Sequence, residues 1–376
     1  STHLGQCVGR VEEVALMSLH PISAAEAMER MALPLGAAGA FSCIIDARSE
    51  AEHALDHLPG ALNWPSLNNE ERIRVGTIYK QQSAFDANKL GASLVAANIA
   101  RHLEREVMHL PKTWQPLVYC WRGGKRSGSL GLVLGQIGFK VWLIDGGYKA
   151  FRAAVVEDIE TLSKQFRFQV IAGPTGSGKT RLLQSLKAEG AQVLDLEELA
   201  QHRSSVLGRI PGQAQPSQKH FDMRIWHSLR QLDTSRTVFV EAESKKVGNV
   251  SIPETLVEVM RGSPCIDLQL SEEERVQLLL EDYAYFAQDA ALFCKRLEVL
   301  TAQKGRALVS QWQQQVQSGE TVAVVRDLLA LHYDPTYAKS VQRNFSQFGQ
   351  AYAAVLPNRQ APSLQALAQQ LMQHYP

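Results

Sequence analysis

Residues 168–180 read Phe-Gln-Val-Ile-Ala-Gly-Pro-Thr-Gly-Ser-Gly-Lys-Thr, an apolar strand pattern that runs directly into a glycine-rich turn. The turn, Gly173–Thr180, matches the phosphate-loop pattern G-x-x-x-x-G-K-[ST] at every position and opens a helical pattern over Thr180–Ala188. Backbone N–H groups of such a turn close around an anion, and the helix N-terminus adds partial positive charge. The stretch therefore predicts an α/β domain with a phosphate-binding site.

The side chains of this loop have separate expected tasks. Lys179 would neutralise terminal phosphate oxygens, and Thr180 could hold a magnesium ion. The predicted phosphate-binding residues are Gly173, Thr175, Gly176, Ser177, Gly178, Lys179 and Thr180. The pattern does not say which phosphate compound is bound.

Acidic residues that could orient a metal ion or a water molecule follow later strands. The apolar strand Thr237–Glu241 ends in a carboxylate, and Glu243 lies two residues further on. Glu241 stands where ATPases usually carry Asp, which weakens the case for ordinary ATP hydrolysis. Asp195, beside another apolar strand, is a third candidate. A carboxylate that simply ends a strand is an equally good interpretation of Glu241, so we assign no metal ligand.

Short apolar strand patterns alternate with helical patterns over most of the chain. They are Phe41–Asp46, Leu117–Cys120, Val141–Ile144, Phe168–Ala172, Gln192–Leu196, Thr237–Glu241 and Ile266–Leu270. Such alternation predicts parallel sheets in an α/β fold. Two glycine-rich turns at strand ends, Cys120–Gly128 and Gly173–Thr180, are more than one open sheet usually needs. We therefore expect domains at residues 1–150 and 166–376, joined by a helix at 151–165, with helical additions after about residue 271.

A second candidate site surrounds Cys120. The strand Leu117–Cys120 leads into a loop of two glycines and three basic residues, and a helical pattern follows over Ser127–Phe139. The basic residues are Arg122, Lys125 and Arg126. Positive charge and helix N-terminal amides lower the pKa of a thiol, which would make Cys120 a thiolate nucleophile at neutral pH. The alternative, a buried structural cysteine, fits this composition less well.

The composition excludes several classes of protein. Lys and Arg number 39 against 38 Asp and Glu, so the net charge of +1 indicates no bulk attraction to nucleic acid or membrane. Residues 101–181 nevertheless carry 13 basic and 6 acidic side chains, a local excess of +7. The longest uncharged stretch, Met31–Ile45, is too short and too interrupted to span a bilayer, and no secretory signal pattern is found, so no membrane partner is expected.

Cysteine usage points to a reducing compartment. The five cysteines are far apart, odd in number and without a C-x-x-C pair. A disulfide scaffold and a structural zinc site are therefore not expected. The chain is expected in the cytoplasm.

Several segments of the first domain together resemble a rhodanese, or sulfurtransferase, domain. They are Asp46-Ala-Arg48, His57–Asn63, the Cys120 loop and Leu143–Lys149. Rhodaneses carry sulfur or selenium as a persulfide-type adduct on the loop cysteine, which the resemblance places at Cys120. The resemblance also implies structural roles for Asp46, Arg48 and His57, rather than a metal site at His53 and His57.

One feature departs from the usual rhodanese pattern. Arg126 follows Cys120 at C-x5-R spacing, one residue longer than the usual sulfurtransferase loop and equal to that of rhodanese-fold phosphatases. A larger loop can surround a larger anion, such as phosphate or selenophosphate. Cys120 and Arg126 are accordingly the predicted catalytic residues.

The pairing of a rhodanese domain with a phosphate-loop domain resembles the family of bacterial tRNA 2-selenouridine synthases. Further segments similar to that family occur in the expected order. They are Asn68–Gln82, Asp195–Arg203, Gln215–Gln218 with Phe221, Val240–Gly248 and His332–Tyr337. The resemblance covers about residues 41–345.

This resemblance implies a two-step reaction at the wobble uridine of tRNA. The family first alkylates 2-thiouridine with a geranyl group from geranyl diphosphate, and selenium from selenophosphate then replaces the geranylated sulfur. The phosphate loop would hold the departing diphosphate with Lys179 stabilising its charge, while Cys120 serves the selenium step and Arg126 holds the incoming anion. The implied partners are tRNA carrying 2-thiouridine and a supplier of selenophosphate; no tightly bound cofactor is expected, and magnesium remains an open requirement.

Candidates for contact with substrate or tRNA come from the basic residues. Near the two loops they are Arg122, Lys125, His202 and Arg203. Within the positive middle of the chain they are Lys140, Lys149, Arg152, Lys164 and Arg167, for each of which a solvated helix face is an equally good interpretation. For Tyr283, Tyr285 and Phe286, core packing is favoured over a prenyl pocket or a base-stacking surface.

Two other functions remain open at this point. C-x5-R spacing beside a phosphate loop is also typical of a phosphatase–kinase fusion, and activity on a generic phosphatase substrate would favour it. A non-enzymatic sensor of sulfur or selenium load is the second alternative, and it would bind ATP without changing tRNA nucleosides.

Overall fold

The computed structural model describes residues 19–203 and 212–376. The chain divides into two units: the first runs to Asp158 and takes in Asp222–Arg230, and the second comprises Ile159–Phe221 and Gln231–Pro376. The division point lies within the segment 151–165 that the sequence assigns to a linking helix.

The inclusion of Asp222–Arg230 in the first unit differs from the sequence-based boundary. Trp226 Nε1 donates to Asp158 Oδ2 at 2.8 Å, and Arg230 Nε donates to the same oxygen at 2.7 Å. Phe151 packs edge-on against Trp226, with ring centroids 5.5 Å apart. These bonds join residues about 70 positions apart in the chain, so no local pattern indicates them.

The first unit contains a five-stranded parallel sheet. Its strands are β1 (Leu19–Ile22), β2 (Cys43–Asp46), β3 (Leu62–Asn63), β4 (Pro116–Tyr119) and β5 (Val141–Ile144). Its helices are α1 (Ala24–Met31), α2 (Glu50–Leu55), α3 (Asn69–Gln81), α4 (Ala84–His102, continued as a π-helix over Leu103–Val107), α5 (Lys125–Ile137) and α6 (Gly147–Ser163). The strand order β1-β5-β4-β2-β3 places β4, which leads to Cys120, in the centre of the sheet.

The second unit contains another five-stranded parallel sheet and a two-stranded antiparallel ribbon. The sheet strands are β6 (Arg167–Ala172), β7 (Gln192–Leu194), β8 (Thr237–Glu241), β11 (Cys265–Gln269) and β12 (Tyr352–Val355), and the ribbon strands are β9 (Lys246–Val247) and β10 (Val250–Ser251). The sheet order β12-β11-β6-β8-β7 places β6, which leads to the phosphate loop, in the centre.

Helices of the second unit connect these strands and extend beyond them. They are α7 (Lys179–Ala188), α8 (Leu196–Ala200), α9 (Gln218–Arg230, shared with the first unit), α10 (Glu254–Arg261), α11 (Glu272–Asp282), α12 (Ala284–Gln288), α13 (Ala290–Leu297), α14 (Thr301–Lys304), α15 (Arg306–Gln317), α16 (Thr321–Leu328), α17 (Asp334–Asn344, preceded by a π-helix over Leu329–Tyr333) and α18 (Ala361–His374). The predicted α/β class and the helical part after residue 271 are both confirmed.

The strands of the two parallel sheets could be predicted from the sequence because the central strands are buried on both faces. All four residues of β4 and five of the six residues of β6 are buried, so each strand appears as a continuous apolar run. Leu182, Leu183 and Leu186 of α7 pack in the same core as the leucines of α18. The edge strand β12 was not predicted, because its Tyr-Ala-Ala-Val sequence is short and only partly buried.

No helix in the described ranges is both long enough and apolar enough to span a membrane.

Candidate functional site

Cys120 lies where the central strand β4 ends and α5 is about to begin. The thiol is buried, and the Ser127 hydroxyl, from the first turn of α5, donates a hydrogen bond to Cys120 Sγ at 3.1 Å. Burial by itself raises the pKa of the thiol, but hydrogen bonds from Ser127 and the positive charge of Arg126 bring the pKa of Cys120 below its usual value. The lowered pKa is consistent with the predicted thiolate, which remains a prediction.

The first prediction concerns this hydrogen bond. Ser127→Ala removes the hydroxyl that stabilises the thiolate, so the pKa of Cys120 should rise and its alkylation by iodoacetamide at neutral pH should slow. The measurement is the alkylation rate against pH, whose midpoint should move to higher pH. Ser129→Ala, two residues further along α5, is the control and should leave the midpoint unchanged. An unshifted profile in Ser127→Ala would show that the hydroxyl does not hold the thiolate.

Backbone contacts fix the shape of the Cys120 loop. Tyr148 N donates to Cys120 O at 2.8 Å, and Lys149 N donates to Trp121 O at 3.0 Å. Gly147 has φ +60°, and a Cβ atom there would lie 2.3 Å from Cys120 O. Only glycine fits this close approach, which gives the Asp-Gly-Gly-Tyr segment a structural role next to the loop.

Arg126 is already paired with a carboxylate. Its Nη1 atom donates to Glu52 Oε2 at 2.8 Å, and Arg72 Nε lies 3.1 Å from the same oxygen. Arg122 and Lys125 are exposed on the loop, and Lys125 Nζ donates to Asn88 Oδ1 of α4 at 3.3 Å. An anion entering the loop would thus meet two exposed basic side chains and compete with Glu52 for Arg126.

The polar residues before this loop are held in a buried network. Arg48 Nη2 donates to Asp46 Oδ2 and to Asp56 O, both at 2.7 Å. His53 Nδ1 lies 3.1 Å from Asp46 Oδ2, and the His53 and His57 rings stack at 4.0 Å. These contacts are consistent with the structural roles expected for Asp46, Arg48 and His57.

The phosphate loop has the expected strand–loop–helix context. Gly173 has φ +155°, and a Cβ atom there would lie 2.5 Å from Ser177 Oγ, so the backbone closes tightly at this point. Lys179 Nζ donates to Gly173 O at 2.8 Å and to Pro174 O at 3.4 Å. The ammonium is therefore held over the loop, where bound phosphate oxygens would replace the carbonyls.

Arg275 is a residue that sequence reasoning missed. From α11 its Nη2 atom donates to Thr175 O at 2.8 Å and to Asp334 Oδ1 at 2.6 Å, and the side chain is buried. It thus links the tip of the phosphate loop to α17. The His332–Tyr337 segment was recognised in the sequence, but nothing local indicated that its Asp334 pairs with an arginine 59 residues away.

Three glutamates converge beside Lys179 and Thr180. Carboxylate oxygens of Glu197, Glu241 and Glu243 lie within 4.8 Å of one another. Thr180 Oγ1 donates to Glu197 Oε2 at 3.3 Å. Glu197 was not a sequence candidate, whereas Asp195 was; Asp195 instead caps α8 by accepting from Glu198 N at 2.9 Å. The cluster forms because β7 and β8 are neighbours, which brings their carboxyl ends to one edge.

This cluster fits a divalent cation. Glu241 is only 2% exposed, and its Oε1 atom has no hydrogen-bond partner among the residues that the structure describes. Burial raises the pKa of Glu241 well above its usual range, and the charge of Glu197 adds to the shift. Magnesium prefers carboxylate oxygens and commonly lies between such groups and a phosphate, so Glu197, Glu241, Glu243 and Thr180 are the residues that would hold it.

The second prediction tests this fit. Glu241→Gln keeps the shape of the side chain but removes the central anionic ligand, so Mn²⁺ should bind roughly tenfold or more weakly in the presence of diphosphate. Electron paramagnetic resonance of free Mn²⁺ measures the affinity without any turnover. Glu198→Gln is the matched control, because Glu198 is exposed and lies beside Glu197. Equal Mn²⁺ affinity in both variants would remove Glu241 from the site.

A polar cleft and an apolar recess meet at the phosphate loop. The cleft, about 540 Å³, is lined by the loop, by Glu197, Glu241 and Glu243, and by Arg203. The recess is lined by Thr175, Leu279, Tyr283, Phe286, Phe293, Val325, Leu328 and Tyr333. Thr175, Leu279, Tyr283 and Tyr333 line both. Phe286 also packs in a buried cluster with Phe293, so the aromatic segment both packs in the core and lines the recess.

The other residues predicted to contact substrate or tRNA differ in their environments. Arg203 Nη1 donates to Asp282 O at 2.7 Å and its guanidinium lies over the Tyr283 ring, whereas His202 is not among the residues lining the cleft. Lys140 lies over the Trp142 ring, and Arg152 forms an ion pair with Asp222.

The four cysteines in the described part of the chain, Cys43, Cys120, Cys265 and Cys294, are free thiols, and Cys7 lies outside it.

Gln215 and Gln218, which belong to a family-like segment of the sequence, form hydrogen bonds to backbone groups. Gln215 Nε2 donates to Ala200 O and Val247 O, and Gln218 Nε2 donates to Ser251 O. Both side chains therefore fasten the β9–β10 ribbon.

Together, the two folds and their loops define the class of this protein: a rhodanese-like domain with a cysteine in its loop, joined in one chain to a P-loop domain. A family model for the rhodanese-like domain matches residues 24–154, and a model described as the tRNA 2-selenouridine synthase AAA domain matches residues 166–298.

Curated relatives narrow this class. The tRNA 2-selenouridine synthase of Alcanivorax borkumensis is 32% identical over 332 residues, covering 80% of this chain and 90% of that protein. The tRNA 2-selenouridine synthase of Nitrosomonas europaea is 38% identical over 244 residues, covering 64% of this chain and 63% of that protein, less than two thirds of its length. The chain therefore belongs to the tRNA 2-selenouridine synthase family, which confirms the resemblance found in the sequence.

Proposed function

We propose that the chain converts 2-thiouridine at the wobble position of tRNA into 2-selenouridine, first by geranylation of the sulfur and then by replacement of the geranylated sulfur with selenium. The observation that supports the first step is that a polar cleft lined by the phosphate loop meets an apolar recess at Thr175. Geranyl diphosphate has the matching chemistry, an anionic head and a hydrocarbon tail, although the recess has a volume of about 40 Å³ and must widen to take the whole tail. ATP has no comparable apolar part.

In the first step, the sulfur of 2-thiouridine attacks C1 of geranyl diphosphate. The C1–O bond breaks, the diphosphate leaves with the electron pair, and the N3 proton of the base passes to solvent water. Lys179 and the loop amides stabilise the charge that develops on the leaving group. Glu197, Glu241 and Glu243 are the residues that would hold a divalent cation, which when bound would supply further positive charge to the leaving group. The apolar recess positions the geranyl chain and excludes water from the allylic carbon.

In the second step, Cys120 acts on phosphorus. The thiolate attacks the phosphorus of selenophosphate, the P–Se bond breaks, and selenium leaves as hydroselenide. Hydroselenide then attacks C2 of the geranylated base and expels geranylthiolate, while water hydrolyses the phosphocysteine to phosphate and free Cys120. Selenium stays at the selenide level throughout, so no oxidant is needed. The C-x5-R loop and the Ser127 hydrogen bond support this assignment, because they suit a tetrahedral oxyanion and a thiolate leaving group.

Mass spectrometry of tRNA nucleosides tests the proposal. The purified chain is incubated with 2-thiouridine tRNA and geranyl diphosphate, and selenophosphate is then added. Geranylated uridine followed by 2-selenouridine is the expected result. Unchanged nucleosides together with hydrolysis of p-nitrophenyl phosphate would favour the phosphatase alternative, and unchanged nucleosides with ATP binding would favour the sensor.

A further inference from the structure

The α3–α4 hairpin exposes an unusual amount of apolar and aromatic surface for its size. None of the 13 residues of α3 is buried. Ile73 is 66% exposed, Tyr79 is 61% exposed, and Phe85, just past the turn between the helices, is 70% exposed. The two helices pack closely at Gly91 of α4. A Cβ atom added to this glycine would lie only 3.5 Å from Val75 Cγ1 of α3. Large aromatic side chains that are left in solvent indicate a surface that meets a partner.

One side of this hairpin reaches the Cys120 loop through α4. Phe85, Asn88 and Lys89 are spaced three and four residues apart, so they lie on one face of the helix. Asn88 Oδ1 accepts from Lys125 Nζ of the Cys120 loop at 3.3 Å. Lys89 Nζ lies 4.9 Å from the centroid of the Phe85 ring and 2.8 Å from Asp86 Oδ1. Phe85 is thus about one helical turn from Asn88, which contacts the Cys120 loop.

The other helix reaches the same loop through Arg72. Arg72 shares Glu52 with Arg126, and Tyr79 follows Arg72 by seven residues, which places both on one face of α3. Each helix of the hairpin therefore carries an exposed aromatic residue, Tyr79 or Phe85, and a residue that contacts the Cys120 loop or shares a partner with it.

The surrounding charge favours a nucleic-acid partner. The exposed basic residues of the hairpin and the adjoining loop are Arg72, Arg74, Lys80, Lys89, Arg122 and Lys125. Arg72 pairs with Glu52, Lys89 pairs with Asp86, and Glu70 is an exposed carboxylate on the same hairpin, so the excess positive charge of this surface lies on Arg74, Lys80, Arg122 and Lys125. Basic side chains that hold phosphates and exposed aromatic rings that stack unpaired bases are the combination that single-stranded RNA binds.

We propose that the α3–α4 hairpin is the surface that binds the unpaired anticodon nucleotides of the tRNA, with bases stacked on Tyr79 and Phe85, next to the loop that carries Cys120. The proposal rests on the function proposed above, since it assumes that the substrate is tRNA. It adds where the RNA is held and by which side chains. The position beside the Cys120 loop would bring the wobble base to the selenium-transfer site.

Binding of a fluorescent anticodon stem-loop carrying 2-thiouridine tests this placement. Fluorescence anisotropy at fixed salt gives Kd for the full chain and for Tyr79→Ala and Phe85→Ala. Each variant should bind about tenfold more weakly, the loss expected for removal of one stacked base. Phe85→Trp keeps an aromatic face and should retain the affinity. Met108→Ala removes a similarly exposed apolar side chain outside the hairpin, so it is the control and should bind as the unsubstituted chain does.

The outcomes separate this proposal from the function on which it rests. If the unsubstituted chain binds the stem-loop and all variants bind it equally, the hairpin is not the RNA surface, while the proposed function stands. If the unsubstituted chain does not bind the stem-loop, both are overturned. If the alanine variants keep RNA affinity but change the molecular mass by light scattering, the surface holds a second copy of the chain instead.

Discussion

Cys120→Ser is expected to abolish selenation while geranylation continues. Serine has nearly the size of cysteine, but its hydroxyl does not ionise near neutral pH, so the nucleophile of the second step is lost. The rate of 2-selenouridine formation from geranylated tRNA and selenophosphate should fall roughly a thousandfold or more. Geranylation of 2-thiouridine tRNA should be unchanged within about twofold, because the phosphate loop is untouched.

A matched control for this variant lies in the same domain. Cys43 is on β2, and burial raises the pKa of its thiol to about 12, so it is not a thiolate at neutral pH. Cys43→Ser should therefore leave both steps intact. Normal selenation by Cys120→Ser would show that the thiol takes no part in the chemistry.

The fate of the phosphorus distinguishes between the two roles open to Cys120. Acid quenching of the unsubstituted chain after mixing with selenophosphate, followed by peptide mass spectrometry, should reveal a phosphorylated Cys120. A selenium adduct on that residue, identified by the selenium isotope pattern, would instead assign a persulfide-type carrier role.

Lys179→Ala is expected to have the second large effect. Starting from 2-thiouridine tRNA, both geranylated and seleno products should disappear, with the geranylation rate reduced by about 10²–10³-fold. The physical reason is that the ammonium lies over the loop, bonded to Gly173 O at 2.8 Å, where it would meet the departing diphosphate. Nucleoside mass spectrometry measures the products. Supplying tRNA that is already geranylated should restore selenation, because the second step uses the other loop.

Lys187→Ala provides the matched control for charge on the same helix. Lys187 lies near the end of α7, is exposed, and pairs with Glu198 at 3.5 Å. Its removal changes the net charge by the same amount without touching the loop. Should both lysine variants lose geranylation equally, the effect would come from the general field of the helix and not from contact with diphosphate.

How far the sequence determines this protein depends on the range of each interaction. The two loops Cys120–Gly128 and Gly173–Thr180 could be located from the sequence because each is a short contiguous segment whose glycines, charge and flanking helix are coded locally. The α/β class followed from strands that are buried on both faces and spaced by helices. Family membership followed from the order of such local segments along the chain.

Only the tertiary structure decided which distant residues meet. Glu197 joins Glu241 and Glu243 because β7 lies beside β8, an order that no local pattern specifies. Arg275 donates a hydrogen bond to Thr175 O, 100 residues away in the sequence. In the first unit, Asp158 accepts hydrogen bonds from Trp226 and Arg230. The apolar recess exists because α11, α12, α13 and α16 present side chains to the phosphate loop. These contacts join residues that are far apart in the sequence, so they depend on how whole strands and helices pack. An apolar pattern shows that a face of an element is buried, but it does not show which other element covers that face.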